Sequence, residues 1–179
     1  MMTERRRQIL RLLIFMLIAL LMAGFQTSFW YHLFGSIPPP MVWLTLVVYL
    51  SLYRDMGEGL VSVYLVSLAL SVFTSMPEGL LTLLILTMFF AGRFFRLRIF
   101  WNGPTYFMLV CAASVPSFYV LQILFSLYFE PNPLTRPDLV RWGLQMCETT
   151  LAALFLFPLY EWIDDLMREE ANETWRINE

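Results

Sequence analysis

Two long stretches without a charged side chain constrain the fold of this sequence more than any other feature. Residues 12–53 and residues 99–129 contain no Asp, Glu, Lys or Arg. Each stretch exceeds the roughly 18 apolar residues that mark a helix able to cross a bilayer. The strands of an outer-membrane barrel would instead give short segments of alternating hydrophobicity. The sequence therefore predicts an all-α, polytopic membrane protein.

The composition points the same way and excludes several functions. Of the 179 residues, 59% are apolar and 15% are charged, whereas a soluble domain has about 25% charged residues. The net charge is −2, and no basic face is large enough to bind nucleic acid. Cys111 and Cys147 lie in apolar runs, and with His32 they form no zinc-type spacing. We therefore expect no metal, no cofactor and no nucleic-acid partner.

Prolines, glycines and polar turns divide the chain into six predicted membrane helices. They cover about residues 9–31, 40–53, 60–75, 80 to 91 or 92, 106–128 and 139–160. Predicted helices 2 to 4 are short, because roughly 15 residues span about 23 Å of a core about 30 Å thick. The whole of 1–179 is one predicted membrane domain, with a basic segment at 1–11 and an acidic, amphipathic tail at 161–179.

The arginines predict the orientation, since the chain has no lysine. Cytoplasmic termini would place Arg136 and Arg141 outside and the other ten arginines inside. Such a bias is typical of the positive-inside rule, and it survives if predicted helices 3 and 4 form a re-entrant hairpin. We therefore predict that both termini are cytoplasmic.

A few polar residues inside the predicted spans are candidate site residues. Glu148 is the ionisable group well inside a span. It is a ligand-binding or proton-carrying carboxylate or a buried, hydrogen-bonded interhelical contact, unless the helix starts later than predicted. Ser67 and Ser71, with Ser75, recur every fourth residue on predicted helix 3. Such a small-residue face either packs against a neighbouring helix or lines a polar cavity.

Charged groups outside the spans are the candidate partner sites. Arg93, Arg96 and Arg98 follow predicted helix 4 and could bind an acidic partner or anionic lipid headgroups, or simply set the topology. The acidic tail would be repelled by the inner leaflet, so it is either a solvated helix end or a partner-binding helix. The sequence has no Walker loop, GxSxG, HExxH or paired-carboxylate motif. We predict no catalytic residues and no enzymatic activity.

Four segments carry a resemblance to a known family. They are Pro40-Met41-Val42-Trp43-Leu44, the Tyr49 to Tyr53-Arg54 stretch, Gly57 with Gly59, and Leu154-Phe155-Leu156-Phe157-Pro158-Leu159. Over about residues 10–165 the chain resembles MreD, the rod-shape-determining membrane protein of bacteria. That family's core is similar in shape to the substrate-binding subunits of energy-coupling-factor vitamin transporters. Many members carry glycines and an aspartate on helix 3, where this chain has Val63, Ser67 and Ser71, so a role for that acidic group is in doubt here.

The resemblance implies a multi-pass scaffold of the cell-elongation (rod) machinery in the bacterial inner membrane. Its expected partners in peptidoglycan synthesis are MreC, RodA and the elongation transpeptidase, with MreB indirectly. The alternative is a vitamin-binding subunit, which would need an outward pocket that Gln26, Trp30 and Tyr31 could line. Purification with MreC and without a bound metabolite would favour the scaffold, and a stoichiometric vitamin would favour the alternative.

Overall fold

The computed structural model describes the backbone of residues 4–35, 37–98, 103–129 and 138–176, and in these ranges the side chains of residue 10 and residues 12–165. Every regular element in these ranges is helical. The elements are α1 (Glu4–Gly24), a π-helical segment (Phe25–Phe29), α2 (Trp30–Phe34), α3 (Val42–Tyr53), α4 (Met56–Ser71), α5 (Glu78–Arg98), α6 (Pro104–Phe129) and α7 (Leu139–Arg176). The predicted all-helical class is confirmed.

Three helical stretches of the described chain are long and apolar enough to cross a membrane. They are Leu12–Phe34, Glu78–Arg98 and Pro104–Phe129, and the shorter apolar helices are α3 and α4. The length and composition of these helices identify a helical membrane protein. α7 does not belong to this group, and Gln145 and Glu148 lower the hydropathy of its first half. Six spans and cytoplasmic termini therefore stay predictions.

α3 is the central helix of the bundle. Every residue from Val42 to Leu52 is buried, and α1, α4, α5, α6 and α7 all contact it. A helix that is apolar on all sides fits such an enclosed position, because it has no face that prefers water. With 12 residues it is about 18 Å long, and it begins directly after the proline run at 38–40.

Three hydrogen bonds join α3 and the residue before it to α7. The Met41 N–H donates to Thr149 Oγ1 at 2.9 Å. The hydroxyls of Thr45 and Tyr160 lie 2.9 Å apart. One α-helical turn further along α3, Tyr49 OH donates to Asp164 Oδ2 at 2.7 Å. Because Thr149 and Tyr160 are fully buried, these bonds fix the register between the two helices in an environment that excludes water.

Two glycines set the distance between the central helices. A Cβ on Gly92 would lie 2.2 Å from Ser51 Oγ, and a Cβ on Gly59 would lie 2.9 Å from the Phe89 ring. Both distances are far inside van der Waals contact. α5 therefore packs against α3 and α4 more closely than any residue with a side chain at these positions would permit.

Several predicted boundaries were wrong. α5 begins at Glu78 and continues to Arg98 instead of ending at 91 or 92, since arginine and the neighbouring Phe and Leu residues are compatible with a helix. It is therefore not one of the short helices. α4 covers Met56–Ser71 rather than 60–75, because the helix tolerates Gly57 and Gly59 in its first turn, where the Gly59 N–H bonds to Asp55 O at 2.8 Å. Ser75 consequently lies outside the helix.

The continuation of the last helix into the tail is confirmed. α7 contains 38 residues and continues through Pro158. At 1.5 Å per residue it is about 57 Å long, which is nearly twice the thickness of a bilayer core. α7 is therefore long enough to extend well past a bilayer core: Asp164 is bonded to Tyr49 and Arg54, and the helix continues for 12 further residues to Arg176.

Candidate functional site

A cavity of about 450 Å³ opens at the end of the bundle where α3 and α7 begin. Its lining includes aromatic rings, amides and the charged residues Asp138 and Arg141. The aromatic residues are Trp43, Phe73, Phe118, Tyr119 and Trp142, and the amides are Gln26, Gln122 and Gln145. A mostly apolar wall with a few polar groups is typical of sites that bind small molecules.

A hydrogen-bonded network holds one wall of this cavity. The ring of Tyr119 stacks on Trp142 with centroids 4.8 Å apart and planes within 6°. Tyr119 OH donates to Gln145 Oε1, and Gln145 Nε2 donates to Pro39 O at 2.9 Å. Gln145 is 3% exposed, so its amide is committed to these partners. The network connects α6, α7 and the proline run into a rigid wall.

The opposite wall comes from the π-helical segment. The hydroxyl of Thr27 donates to Ala23 O at 2.8 Å, which satisfies a carbonyl at the change of helix type. Gln26 Oε1 is shielded from solvent and has no hydrogen-bond partner in the described part of the chain. Short π-helical segments often occur at functional sites, because the wider turn displaces side chains from the regular helical face. Gln26 Oε1 is thus a shielded acceptor in the cavity that is available to a ligand.

The three residues that could line a pocket in the vitamin-binding alternative lie in different places. Gln26 lines the main cavity as expected. Tyr31 lines a neighbouring cavity of about 420 Å³ instead. Trp30 lines neither of them, and its indole N–H donates to Ile37 O at 3.2 Å. The sequence reasoning missed Gln122, Gln145 and Trp142; glutamines inside apolar helices were the signal that could have identified them.

A cluster of side chains around Arg54, which we call the Arg54 cluster, lies at the other end of α3. Arg54 Nη2 forms an ion pair with Asp164 on α7, and Arg54 Nη1 lies 3.5 Å from Glu58 Oε2. The guanidinium also lies over the Phe15 ring, 5.3 Å from its centroid. Because Asp164 accepts from Tyr49 as well, its two oxygens bind two different groups. The cluster ties α1, α3, α4 and α7 together, and the sequence reasoning had assigned Arg54 no such role.

The predicted partner-binding arginines lie on the last two turns of α5, close to this cluster. Arg93 Nη1 donates to Arg54 O at 2.5 Å, and Arg96 Nη1 donates to the same carbonyl at 3.1 Å. They therefore cap the carboxyl end of α3, where carbonyls lack helical partners. Arg98 is exposed and lies over the Phe94 ring at 5.4 Å. Partner binding by the three stays a prediction.

Glu148 lies on the outward side of α7 and is half-buried. Its Oε2 atom is shielded from solvent and has no hydrogen-bond partner in the described part of the chain. The neighbours that could have supplied hydrogen bonds are used elsewhere. Gln145 and Thr149 bind the start of α3, and Thr150 donates to Met146 O at 2.7 Å. This atom is therefore an uncompensated polar group. If the predicted sixth span places it in the bilayer core, an ionised carboxylate there costs about 2.5 kcal/mol or more on insertion scales.

Ser67 and Ser71 lie on α4 as expected. Ser67 is fully buried; its hydroxyl donates to Tyr64 O at 2.7 Å and lies 3.2 Å from Thr82 Oγ1 on α5. Ser71 donates to Leu68 O at 2.7 Å. Neither residue lines the main cavity. Ser67 therefore lies at a contact between α4 and α5, whereas the bond of Ser71 is within its own helix.

The remaining titratable groups of the described residues do not assemble into a metal site. No group of three His, Cys, Asp or Glu is close enough to hold an ion within the described ranges. Partial desolvation raises the pKa of the Glu161 carboxyl, just after the predicted end of the last span, and Asp165 and Asp164 raise it further. Arg136 lies outside the described residues.

Comparison with protein-family models finds no match to this chain, and neither curated proteins nor solved structures match it at significant similarity.

Proposed function

We propose that this protein is a non-enzymatic membrane scaffold of the MreD type, which organises partner proteins of the bacterial rod machinery. The observation that carries the proposal is the length of α7, which is bonded to the bundle at Asp164 and continues as a helix to Arg176. Its support from the sequence is the resemblance over about residues 10–165. In this proposal the chain crosses the bacterial inner membrane six times, with both termini in the cytoplasm.

The Arg54 cluster explains why the last part of α7 could serve as a rigid binding element. The ion pair to Asp164 attaches α7 to the bundle at the point where the predicted span ends. From Glu161 to Arg176 the helix continues for about 24 Å. The stretch is acidic, so an anionic inner leaflet repels it and leaves it available to proteins. The exposed guanidinium of Arg98 lies on α5, whose last turns adjoin the same cluster.

The test is retention of an MreC-type partner during native purification. A chain shortened after Arg168 keeps Asp164 and the Arg54 cluster but lacks the end of α7, and we expect it to lose most of the partner. Arg98→Glu is expected to weaken retention about fivefold or more, whereas Glu78→Gln, at the exposed first residue of the same helix, serves as a neutral control. Full retention by the shortened chain, or normal cell shape after depletion of the protein, would refute the scaffold proposal.

A second candidate function is supported by the main cavity. Its volume and its aromatic and amide lining suit a small planar molecule with hydrogen-bonding edges, and Gln26 offers an unused acceptor. This is the vitamin-binding alternative, in which the protein delivers a ligand to a transporter.

Mass spectrometry of the natively purified protein separates the two functions. A stoichiometric small molecule that disappears in Gln26→Leu and persists in Gln8→Leu would establish the binding function. A ligand-free protein that retains an MreC-type partner would exclude it and favour the scaffold.

A further inference from the structure

The outward side of α7 carries a regular row of side chains, which we call the α7 seam. Its members follow one another at alternating intervals of four and three residues. They are Leu144, Glu148, Leu151, Phe155, Pro158 and Trp162. Leu151 and Phe155 are 60% and 74% exposed, while the other side of α7 packs on α3 and α6. This interval is that of the core positions of a coiled coil, so the seam is shaped to receive another helix.

Glu148 is the polar member of this apolar row. Its Oε2 atom is shielded and has no hydrogen-bond partner among the described residues. Gln145 and Thr150 donate to Pro39 O and Met146 O, and Thr149 accepts from the Met41 N–H. Glu148 is the tenth residue of α7, about 14 Å from its start, which places it near the middle of a bilayer core. A carboxylate at that depth is stable when a positive or hydrogen-bonding group reaches it from a neighbouring helix.

We propose that the α7 seam is the docking surface for a transmembrane helix of a partner protein that presents a lysine or arginine at the depth of Glu148. This deepens the scaffold function, on which it rests, by naming the surface and the chemistry of the partner. Charge complementarity selects a basic side chain, and the apolar members of the seam supply the packing surface. One polar position in such a seam fixes the register of the two helices.

A second copy of this chain does not present a basic group opposite Glu148 in a two-fold arrangement. Two parallel copies related by a two-fold axis would place each Glu148 opposite the other, because the same patch meets itself in such an interface. Like charges at that depth repel each other. The seam therefore favours a different protein.

The test uses the full-length protein in phosphatidylcholine vesicles and two synthetic transmembrane helices. In a Cys147→Ala background, Leu139→Cys provides a labelling site at the start of α7, since Cys111 is fully buried. The peptides are 23-residue Leu/Ala helices that differ at one central position, Lys in one and Leu in the other, with an acceptor dye at one end. Energy transfer from a donor dye at the labelling site to the acceptor dye on the peptide then gives the dissociation constant of each peptide.

We expect the Lys peptide to bind about fivefold more tightly than the Leu peptide, which corresponds to about 1 kcal/mol. Glu148→Leu is expected to remove this preference. Thr150→Val, which alters a neighbouring side chain bonded to its own helix, is expected to preserve it. Equal affinities of the two peptides, or a preference that persists in Glu148→Leu, would overturn the proposal. Energy transfer between copies of the protein that Glu148→Leu abolishes would assign the seam to self-association and overturn it too.

These results are independent of the test of the scaffold function. No Lys preference in a protein that retains its MreC-type partner refutes the seam and leaves the scaffold proposal standing. A clear Lys preference, together with normal cell shape after depletion of the protein, supports the seam and refutes the scaffold proposal.

Discussion

Gly92→Ala tests the close contact between α5 and α3. The new methyl group would lie 2.2 Å from Ser51 Oγ and 3.0 Å from Ser51 Cβ. Rotation of Ser51 would move Oγ away but break its 2.7 Å bond to Val48 O, and it would leave Cβ in place. The helices must therefore separate, and overpacking of this kind costs about 1–3 kcal/mol. A lost hydrogen bond adds about 1 kcal/mol, which the higher helix propensity of alanine offsets by a similar amount.

The expected net destabilisation is about 2 kcal/mol, or a fall in the melting temperature of about 4–8 °C for a protein of this size. Buried Cys111 is a convenient reporter in a Cys147→Ala background, because a thiol-reactive fluorogenic dye labels it on unfolding. Gly79→Ala on the same helix is the matched control, since its added Cβ meets nothing within 4 Å.

A double-mutant cycle isolates the contact itself. Ser51→Ala removes Oγ, so Gly92→Ala should cost clearly less in that background than in the native one. A melting temperature of Gly92→Ala equal to that of Gly79→Ala, or the same loss in both backgrounds, would show that the close approach is not a determinant of stability.

Two further changes test the bonds between α7 and the rest of the bundle. Asp164→Asn should lower the melting temperature, because it removes one of the two carboxylates that pair with the half-buried Arg54. The cost should be less than the 3–5 kcal/mol of a fully buried pair, since Glu58 still pairs with Arg54. Asp165→Asn, one residue further along, should have little effect, and equal melting temperatures of the two variants would contradict this role. Thr149→Val should cost about 1–3 kcal/mol, since a buried backbone N–H loses its acceptor. Thr150→Val is its control. Equal melting temperatures of the two variants would disprove the role of Thr149.

The helical membrane class could be predicted from the sequence because charge-free runs reflect the solvent around a helix. The same runs do not indicate which helix is enclosed by the others. α3 and α6 are both apolar on every side, yet α3 is buried throughout whereas α6 exposes Leu109, Val120 and Leu124. That difference arises from tertiary packing, which the hydropathy of a single sequence does not report.

The candidate sites divide in the same way. Glu148 stood out in the sequence because an ionisable group inside a span is rare. The Arg54 cluster did not, because its members Phe15, Arg54 and Asp164 are separated by up to 149 residues and meet only through tertiary contacts. Arg93 and Arg96 were selected for an external role, and their bonds to Arg54 O depend on the unforeseen extension of α5.

The dependence of α3 on α7 has a consequence for biosynthesis. Thr149, Tyr160 and Asp164 reach the membrane about a hundred residues after the helix whose polar groups they satisfy. Until then we expect the translocon or a membrane chaperone to bind α3, which is too short to span a bilayer core on its own. Completion of the core is therefore a late event, and a ribosome stalled before α7 emerges should leave an intermediate that membrane proteases recognise.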